Sequence, residues 1–352
     1  MAGLLTAVAG CASGEVGLGP SADQREHRVA ADPHATAAEV VRAGHPVDVA
    51  EAHDRTLVTY RVESDDDEGP QRGAWRLYDE AGKRLADGTF AQVREQDAIA
   101  RVEPVPDGFL LRGYTGARLQ HVDPDGTLSP VAVSHSAAPA RPGDLLVEAS
   151  DDSGFSVYTP ADRSAHRLPR IPDASGAVVL DDRGTVWLVR TWTRTRIVVA
   201  HSAGGAGPWH DLVVPSRRGD YPMGLTAAGG HVVVPVAHGP DDAPRLRALE
   251  VLDAARPDAG WRAVDPDGIT FRHALEPVVH VLADGRLLVG EPMEDAWLQA
   301  DDGFTRVDLP DPWAAIKVQG DRWFATQPKG RRLWVSTDEG ASWSDSRLPG
   351  SG

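Results

Sequence analysis

Short apolar runs separated by turn residues make up most of the chain. Runs of Val, Leu, Ile, Thr and aromatic residues alternate with Gly, Asp and Pro, and no long segment has a helical period. The pattern predicts an all-β fold with many short strands. Residues 35–42 contain good helix formers after a Pro and a His, which is compatible with one short helix.

A hairpin pattern recurs along the chain at an average interval of about 43 residues. Each copy has an apolar strand, a turn built from Asp, Gly, Ser or Ala, and then a second strand. The copies occupy residues 77–82, 122–126, 157–162, 200–205, 251–256, 299–303 and 335–340. A further apolar run precedes each copy, as at residues 184–189.

This spacing is typical of β-propeller blades, in which about 40–50 residues form one four-stranded sheet. Near-continuous apolar runs suit strands that neighbouring blades cover on both faces. We therefore predict a seven-bladed β-propeller over residues 46–349, with six blades as the fallback because the turns at 162 and 256 are the weakest. A candidate outer strand at 342–348 indicates that the last blade borrows no strand. A pair of β-sandwich domains is the rival, but it does not predict the longer repeat.

The chain begins with a short apolar run that ends in Val8-Ala9-Gly10-Cys11. This run resembles the lipobox of bacterial lipoproteins of the actinobacterial type, with Cys11 as the lipidated first residue after cleavage. The resemblance implies an extracytoplasmic protein anchored to the cell membrane by lipid. Residues 1–11 lack the basic start of a signal peptide, so we expect the true start to lie upstream. The alternative is a cytoplasmic protein with an apolar tail and a chance cysteine.

Residues 12–45 are polar and show no period of two, so they are predicted to form a flexible tether. The whole chain of 352 residues has 36 Lys and Arg against 52 Asp and Glu, a net charge of −16. Its average field repels nucleic acid and anionic membranes, so neither is expected as a partner. No apolar run approaches the roughly 20 residues of a membrane span, so the membrane contact would be the lipid anchor alone.

Residues 336–343 contain one complete turn motif, in which Ser336, Asp338, Gly340 and Trp343 fit Ser-x-Asp-x-Gly-x-x-Trp. Asp and Ser side chains accept hydrogen bonds from turn N–H groups, Gly tolerates a positive φ, and Trp packs against the apolar side. The motif resembles the Asp-box, or bacterial neuraminidase repeat, of sialidase-like β-propellers. Residues 202–209 and 254–261 keep only the Trp spacing. We interpret the box as a structural element at the outer edge of a blade, distant from the axis.

The sialidase resemblance implies an Arg triad, a Tyr nucleophile paired with a Glu, and an Asp acid/base. The Arg-Ile-Pro signature of that family precedes its first Asp-box, whereas Arg170-Ile171-Pro172 lies in the middle of this chain. Tyr60 and Tyr114 lie near predicted inner strands, but no spacing identifies a nucleophile among the five tyrosines. The catalytic residues therefore stay unassigned. A sialidase-like glycoside hydrolase with a diverged site is the alternative function.

Residues 187–196 form a basic and aromatic cluster in this acidic chain. Strand alternation predicts one shared face for four of its members, which are Arg190, Trp192, Arg194 and Arg196. Such a face can stack a sugar ring and pair with its acidic group, so these residues are the candidate ligand-binding site. The alternative is a Trp in the core between blades with Arg stems packed beside it.

Other chemical motifs leave few enzyme classes in view. The thirteen histidines show no His-x-x-x-His or HExxH spacing, and Cys11 is the single cysteine, so no metal or cofactor is predicted. No nucleophile elbow, P-loop or dinucleotide fingerprint is present. The sequence therefore favours an exported, lipid-anchored propeller that acts as a non-catalytic binding or scaffold protein at the cell envelope. Its expected ligand is a glycan or an envelope protein, and its oligomeric state is left open with a monomer favoured.

Overall fold

Strands account for most of the regular structure. The computed structural model describes residues 21–63, 69–90, 100–113, 119–148, 154–171, 177–193, 195–240, 244–271, 277–291, 295–327 and 330–346. Within these ranges it contains 29 strands, two α-helices, and two short 3-10 helices at Pro160–Asp162 and Pro257–Ala259. The strands form seven sheets, and each sheet uses one consecutive stretch of chain.

The sheets are numbered here as blades in chain order. Blade 1 contains β1 (His45–Ala52), β2 (Arg55–Glu63), β3 (Gln71–Asp79) and β4 (Arg84–Thr89). Blade 2 contains β5 (Ala100–Val105), β6 (Gly108–Gly113), β7 (Leu119–Val122) and β8 (Leu128–Pro130). Blade 3 contains β9 (Ala132–Ala137), β10 (Leu145–Glu148), β11 (Phe155–Thr159) and β12 (Ser164–Arg167).

The remaining four blades continue the series. Blade 4 contains β13 (Val178–Leu180), β14 (Thr185–Thr193), β15 (Arg196–Ala203) and β16 (His210–Val214). Blade 5 contains β17 (Asp220–Pro222), β18 (Thr226–Ala228), β19 (His231–His238), β20 (Arg245–Asp253) and β21 (Arg262–Val264). Blade 6 contains β22 (Val278–Val281), β23 (Leu287–Gly290), β24 (Ala296–Ala300) and β25 (Gly303–Arg306). Blade 7 contains β26 (Ala315–Gln319), β27 (Arg322–Thr326), β28 (Leu333–Ser336) and β29 (Ser344–Ser346).

The blades close into a ring with one strand of each on the inside. Contacts join β26 to β1, β1 to β5, β10 to β13, β13 to β18, and β18 to β22. These strands therefore surround the axis, and the later strands of each blade lie farther out. In blade 5 the innermost position is split, because β17 and β18 both pair with β19. The prediction of a seven-bladed β-propeller is confirmed.

Apolar clusters fill the gaps between neighbouring blades. Trp187 packs with residues of blades 4 and 5, Trp297 with residues of blades 5 and 6, and Trp75 with residues of blades 1 and 2. Trp187 is 1% exposed, and its Nε1 donates a hydrogen bond to Asp181 Oδ2 at 2.9 Å. The continuous apolar runs in the sequence are thus strands that have a neighbouring blade on each face.

Blade 3 departs from the regular order. Its outer edge is β9, which precedes the other strands in the chain and runs parallel to β12. Counted outward from the axis, the strands of blade 3 are β10, β11, β12 and β9. The turn at residues 157–162 therefore joins the second and third strands, whereas the other repeated turns join the third and fourth strands of their sheets. The turn at 162, one of the two weakest in the repeat, thus has a different place in its sheet from the other six. The early strand β9 covers the edge that β12 would otherwise expose.

Two helices, α1 (Ala22–Ala31) and α2 (Ala37–Ala43), pack against β2 and β3 of blade 1. Each begins with a capping box, at Ser21 and at Thr36. Val29, Val40 and Val41 are buried in the cluster that the helices form with blade 1. For residues 21–45, the described part of the predicted tether 12–45, the structure thus shows packed helices instead of a flexible segment. The few apolar residues of this segment lie together and pack against blade 1. No helix in the described part of the chain is long and apolar enough to cross a membrane.

The seam between blades 7 and 1 is closed without a shared strand, as the last hairpin indicated. The side-chain amide of Gln319 takes the place of a strand partner, because its Oε1 accepts from the Glu51 N–H at 2.9 Å and its Nε2 donates to the Glu51 carbonyl. The guanidinium of Arg322 lies 2.8 Å from the Glu51 carboxylate. Phe324 and Leu333 of blade 7 pack into the cluster of the two helices. Side chains and helices therefore hold the ring closed here.

Candidate functional site

Residues 336–343, the segment that resembles an Asp-box, form the turn between β28 and β29, at the outer side of blade 7. The Ser336 hydroxyl accepts from the Gly340 N–H at 2.8 Å and donates to Asp338 Oδ1 at 2.8 Å. Asp338 accepts from the Ser342 N–H at 2.9 Å and from the Ser342 hydroxyl at 2.5 Å. These bonds to Ser342 and Ser336 lower the pKa of Asp338 below its ordinary value. Gly340 has φ 82°, a conformation that glycine adopts without a steric penalty.

The tryptophan of this turn connects it to blade 6. Trp343 Nε1 donates to the Asp308 carbonyl at 2.8 Å, and its ring packs on the apolar cluster between blades 6 and 7. A Cβ added at Gly340 would lie 2.6 Å from Val307 Cγ1, so the turn fits closely against the neighbouring blade. The polar side chains of the turn make their hydrogen bonds within the turn or to blade 6. We place no ligand there.

The β14–β15 hairpin carries the predicted ligand-binding residues. Trp192 is 50% exposed, and its ring centroid lies 6.2 Å from that of Tyr221 on β17 of blade 5. Arg190 Nη1 lies 2.5 Å from Asp211 Oδ1, and Arg196 is exposed at the base of the turn opposite Thr193. Arg194 lies outside the described residues.

The hairpin differs from the simple alternation on which its prediction was based. The pairing of β14 with β15 shifts register between Val189 and Thr191, so Arg190 occupies a bulge. The structure also adds Tyr221, which sequence reasoning did not connect with Trp192. No local signal joins the two, since they lie on different blades and meet only when the ring forms. Arg196 pairs with Thr193, the residue next to Trp192, so its side chain lies on the other face of the hairpin and not on the shared face that alternation predicts. We call Trp192 and Tyr221, together with Arg190 and Arg196 of the same hairpin, the Trp192 platform.

A cavity of about 680 Å³ lies along the inner strands of blades 2 to 5. We call it the axial cavity. Its polar wall is on blade 2 and consists of Arg101, Glu103 and Arg112. Its remaining wall is largely apolar and is made by Leu110, Leu145, Leu146, Val179, Leu180, Leu225, Thr226, Ala227 and Ala228. Its volume lies in the range of small-molecule sites, which is about 300–1,000 Å³.

Two arginines lie side by side on the polar wall. Arg101 on β5 is the direct cross-strand partner of Arg112 on β6. Glu103 lies two residues after Arg101, on the same face of β5, and its Oε1 is 3.0 Å from Arg112 Nη2. Arg101 is exposed and has no ion-pair partner among the described residues. Like charges directly opposite each other destabilise a strand pair, so Glu103 offsets the repulsion only in part.

A second ion pair joins the inner strands of blades 7, 1 and 2. Lys317 Nζ lies 3.1 and 3.2 Å from the two carboxylate oxygens of Asp48 and donates to the Val102 carbonyl. Asp48 also accepts from the Val102 N–H at 2.9 Å and from the Val49 N–H at 2.8 Å. Lys317 is 3.9 Å from Glu103 Oε2, so Glu103 lies between Lys317 and Arg112. We call these five charged side chains the inner-strand charge cluster: Asp48, Arg101, Glu103, Arg112 and Lys317.

A histidine on the inner strand of blade 6 lies near this cluster. Burial, followed by the charge of Lys317, lowers the pKa of His280 to about 4. The imidazole is therefore uncharged at neutral pH and adds no charge to the inner-strand charge cluster. His280 also borders a smaller cavity of about 120 Å³ between blades 6 and 7.

The tyrosines do not assemble the set that the sialidase resemblance implies. The Tyr60 and Tyr78 hydroxyls lie 3.1 Å apart in the core of blade 1, and burial raises the pKa of Tyr60. Burial, followed by the charge of Asp107, raises the pKa of Tyr158 to about 12. None of the described tyrosines lines the axial cavity, although two arginines do. Tyr114 and Pro172 lie outside the described residues.

Metal ligands do not cluster in the described ranges. No group of three or more His, Cys, Asp or Glu side chains there has the arrangement of a metal site. Cys11 lies outside those ranges. The candidate functional features are therefore the Trp192 platform and the axial cavity.

Comparison with known proteins identifies the fold. No protein-family model matches the chain, and no curated protein matches it. Among solved structures, a puromycin-hydrolyzing peptidase of Mycobacterium tuberculosis aligns over 89% of this chain with a TM-score of 0.52 and 12% identity. An acylaminoacyl peptidase of Pyrococcus horikoshii aligns over 86% with a TM-score of 0.51 and 8% identity. This chain spans 56% and 52% of the lengths of those two enzymes.

The β-propeller domain of the Trilobed protease from Pyrococcus furiosus is also similar. It aligns over 86% of this chain and 97% of its own length, with a TM-score of 0.50 and 8% identity. That domain is described as having an open velcro topology. At these identities the likeness shows that this chain is a β-propeller and assigns no activity.

Proposed function

We propose that this protein is a non-catalytic binding protein of the cell envelope that holds an acidic glycan on the Trp192 platform. The observation that carries the proposal is the half-exposed indole of Trp192 beside Tyr221, on a hairpin that also carries Arg190 and Arg196. The exposed face of an indole stacks on the C–H face of a sugar ring, and arginine pairs with carboxylate or sulfate. A glycan ligand is therefore favoured over an envelope protein.

The charges of the platform support an acidic ligand. Asp211 neutralises Arg190, whereas Arg196 has no ion-pair partner among the described residues. The net charge of −16 repels anions at long range, but salt screens that field beyond about 8–10 Å. An exposed arginine on the hairpin that carries Trp192 can therefore attract an acidic ligand at short range.

Glycan-array binding of the full chain tests the proposal. Trp192→Ala should weaken binding of acidic glycans by about tenfold or more, since it removes the stacking surface. Trp313→Ala is the matched control, because Trp313 is 57% exposed and lies on another blade connection. Equal binding by both variants, or no glycan bound by the wild-type chain, would remove the platform proposal.

The location of the protein is a separate proposal that rests on the lipobox resemblance. We propose export and lipid anchoring through Cys11. When an upstream start is included, Cys11→Ala should move the protein from the membrane fraction to the soluble fraction. Retention in the membrane fraction would contradict the anchor.

A sialidase-like hydrolase is the second candidate. Arg101 and Arg112 favour it, because both line the axial cavity of a propeller that also carries an Asp-box turn. Turnover of a fluorogenic sialoside by the chain lacking residues 1–11 would support this alternative. Absence of turnover together with glycan binding would support the non-catalytic proposal.

A further inference from the structure

We infer that the axial cavity is a second binding site, which takes an amphiphilic anion. In this complex the carboxylate, sulfate or phosphate head pairs with Arg101 and Arg112, and the apolar body lies on the leucine wall. The inference does not rest on the Trp192 platform. It depends on the charge cluster and the shape of the cavity.

Positive charges outnumber negative charges at the polar wall. The inner-strand charge cluster has three cations and two carboxylates among the described residues. Asp48 is fully engaged, because Lys317 and two backbone N–H groups contact its oxygens. Among the described residues, Glu103 is thus the single carboxylate available to Arg112, and none of them compensates the charge of Arg101 at the cavity.

The strand register brings two of these positive charges together. Because Arg101 and Arg112 are direct cross-strand partners, their guanidinium groups extend from neighbouring positions on one face. Such a pair of like charges destabilises the pairing of the two strands. An external anion at this place would relieve the repulsion and make charge-assisted hydrogen bonds to both groups.

Glu103 can accommodate the incoming anion. Its carboxylate already lies 3.9 Å from Lys317, on the side away from Arg112. When a ligand head group pairs with Arg112, Glu103 can keep a cation partner by moving toward Lys317. The site therefore admits an anion without leaving a carboxylate unpaired.

The apolar wall defines the rest of the ligand. Leu145, Leu146, Leu180 and Leu225 come from blades 3, 4 and 5 and face the same cavity as the arginines. A small hydrated anion would leave this apolar wall in contact with water, whereas an apolar body would displace that water favourably. The chemistry favours a single anionic head on an apolar body.

Fluorescence titration of the full chain tests the inference. The probes are 1-anilinonaphthalene-8-sulfonate and its uncharged analogue N-phenyl-1-naphthylamine. Arg101→Gln should weaken binding of the sulfonate by about tenfold and leave binding of the uncharged probe unchanged. Glu103→Gln should strengthen binding of the sulfonate, because it removes the competing carboxylate. Arg256→Gln is the matched control, since it deletes an arginine in an outer turn of blade 5.

The outcomes distinguish the possible sources of binding. Unchanged sulfonate affinity in both Arg101→Gln and Glu103→Gln would overturn the inference, and so would equal losses for the two probes. Displacement of the sulfonate by decanoate but not by inorganic phosphate supports an amphiphile, whereas displacement by phosphate alone overturns the apolar part. Trp192→Ala should leave sulfonate binding unchanged, so failure of the glycan proposal would not affect this result.

Discussion

The ring is held together differently on its two sides. Between blades 4 and 5, a continuous apolar cluster around Trp187 and the valines of β19 fills the interface. Between blades 7 and 1, the amide of Gln319 and the guanidinium of Arg322 hold Glu51, and α1 and α2 cover the outside. Both interfaces bury apolar side chains, but only the second adds these polar contacts with defined geometry.

The difference shows where charged side chains reach the axis of this propeller. An apolar interface needs no charge near the axis, so the inner strands of blades 4 and 5 contribute leucine, valine and alanine to the axial cavity. The seam brings Lys317 and Asp48 to the axis, next to the arginines of blade 2. The polar wall of the cavity thus lies close to the place where the ring closes.

The largest expected effect is on the apolar side. Trp187→Ala should lower the free energy of unfolding by about 3–5 kcal/mol, because it leaves a cavity in a buried cluster. Thermal and denaturant unfolding followed by circular dichroism measure the change. Trp192→Ala is the control and should stay within about 0.5 kcal/mol of wild type. Similar losses in the two variants would contradict the assigned burial.

A smaller effect is expected at the helices that cover the seam. Val40→Ala should destabilise the protein by about 2 kcal/mol, since Val40 is 0% exposed between α2 and blade 1. Arg28→Gln alters an exposed position on α1 and serves as the control. A flexible tether would give no loss for either variant, and that result would separate the helices from the fold.

The smallest effect is expected at the inner-strand charge cluster. Lys317→Met should cost about 1–2 kcal/mol, because Asp48 loses its cation while keeping two backbone N–H bonds and partial solvent access. The pKa of His280 should rise from about 4 without reaching its ordinary 6.5, since burial persists after the Lys317 charge is removed. Urea unfolding and NMR titration of the imidazole report the two changes.

Arg84→Met is the matched control for the lysine variant. Arg84 forms an ion pair with Asp87 at 3.1 Å on the outer strand of blade 1, and its side chain is 56% exposed. Such a surface pair contributes about 0–1 kcal/mol. If both variants had equal stability and the pKa of His280 did not move, the inner-strand charge cluster would not link blade 7 to its neighbours.

The blade count could be predicted because its signals are local. A strand and its Asp- or Gly-containing turn lie within a few residues of each other, as at residues 335–340, and the same unit recurs. Blade 3 shows the limit of this reasoning. The outer strand β9 precedes its partners, so the turn at residues 157–162 has a different place in its sheet.

The helices and the axial site were harder to predict for a different reason. The helix formers at residues 35–42 did indicate α2 (Ala37–Ala43), whereas α1 (Ala22–Ala31) had only the capping box at Ser21 as a local signal, and neither signal shows that the helices pack on blade 1. Lys317 and Val102 meet across a separation of 215 residues, so their contact exists only after the ring closes. The bulge at Arg190 likewise changes side-chain direction without a pattern that alternation could reveal.

The complete blades on either side of the seam bear on how such a ring can change in evolution. Because the strands of every blade are consecutive, a duplication or deletion of one sequence segment adds or removes a whole structural unit. A ring whose last blade is shared between both ends would have to rebuild that blade at each such event. Here the new neighbours would need a side chain able to do what Gln319 does for Glu51 and an apolar surface like that of Phe324 and Leu333.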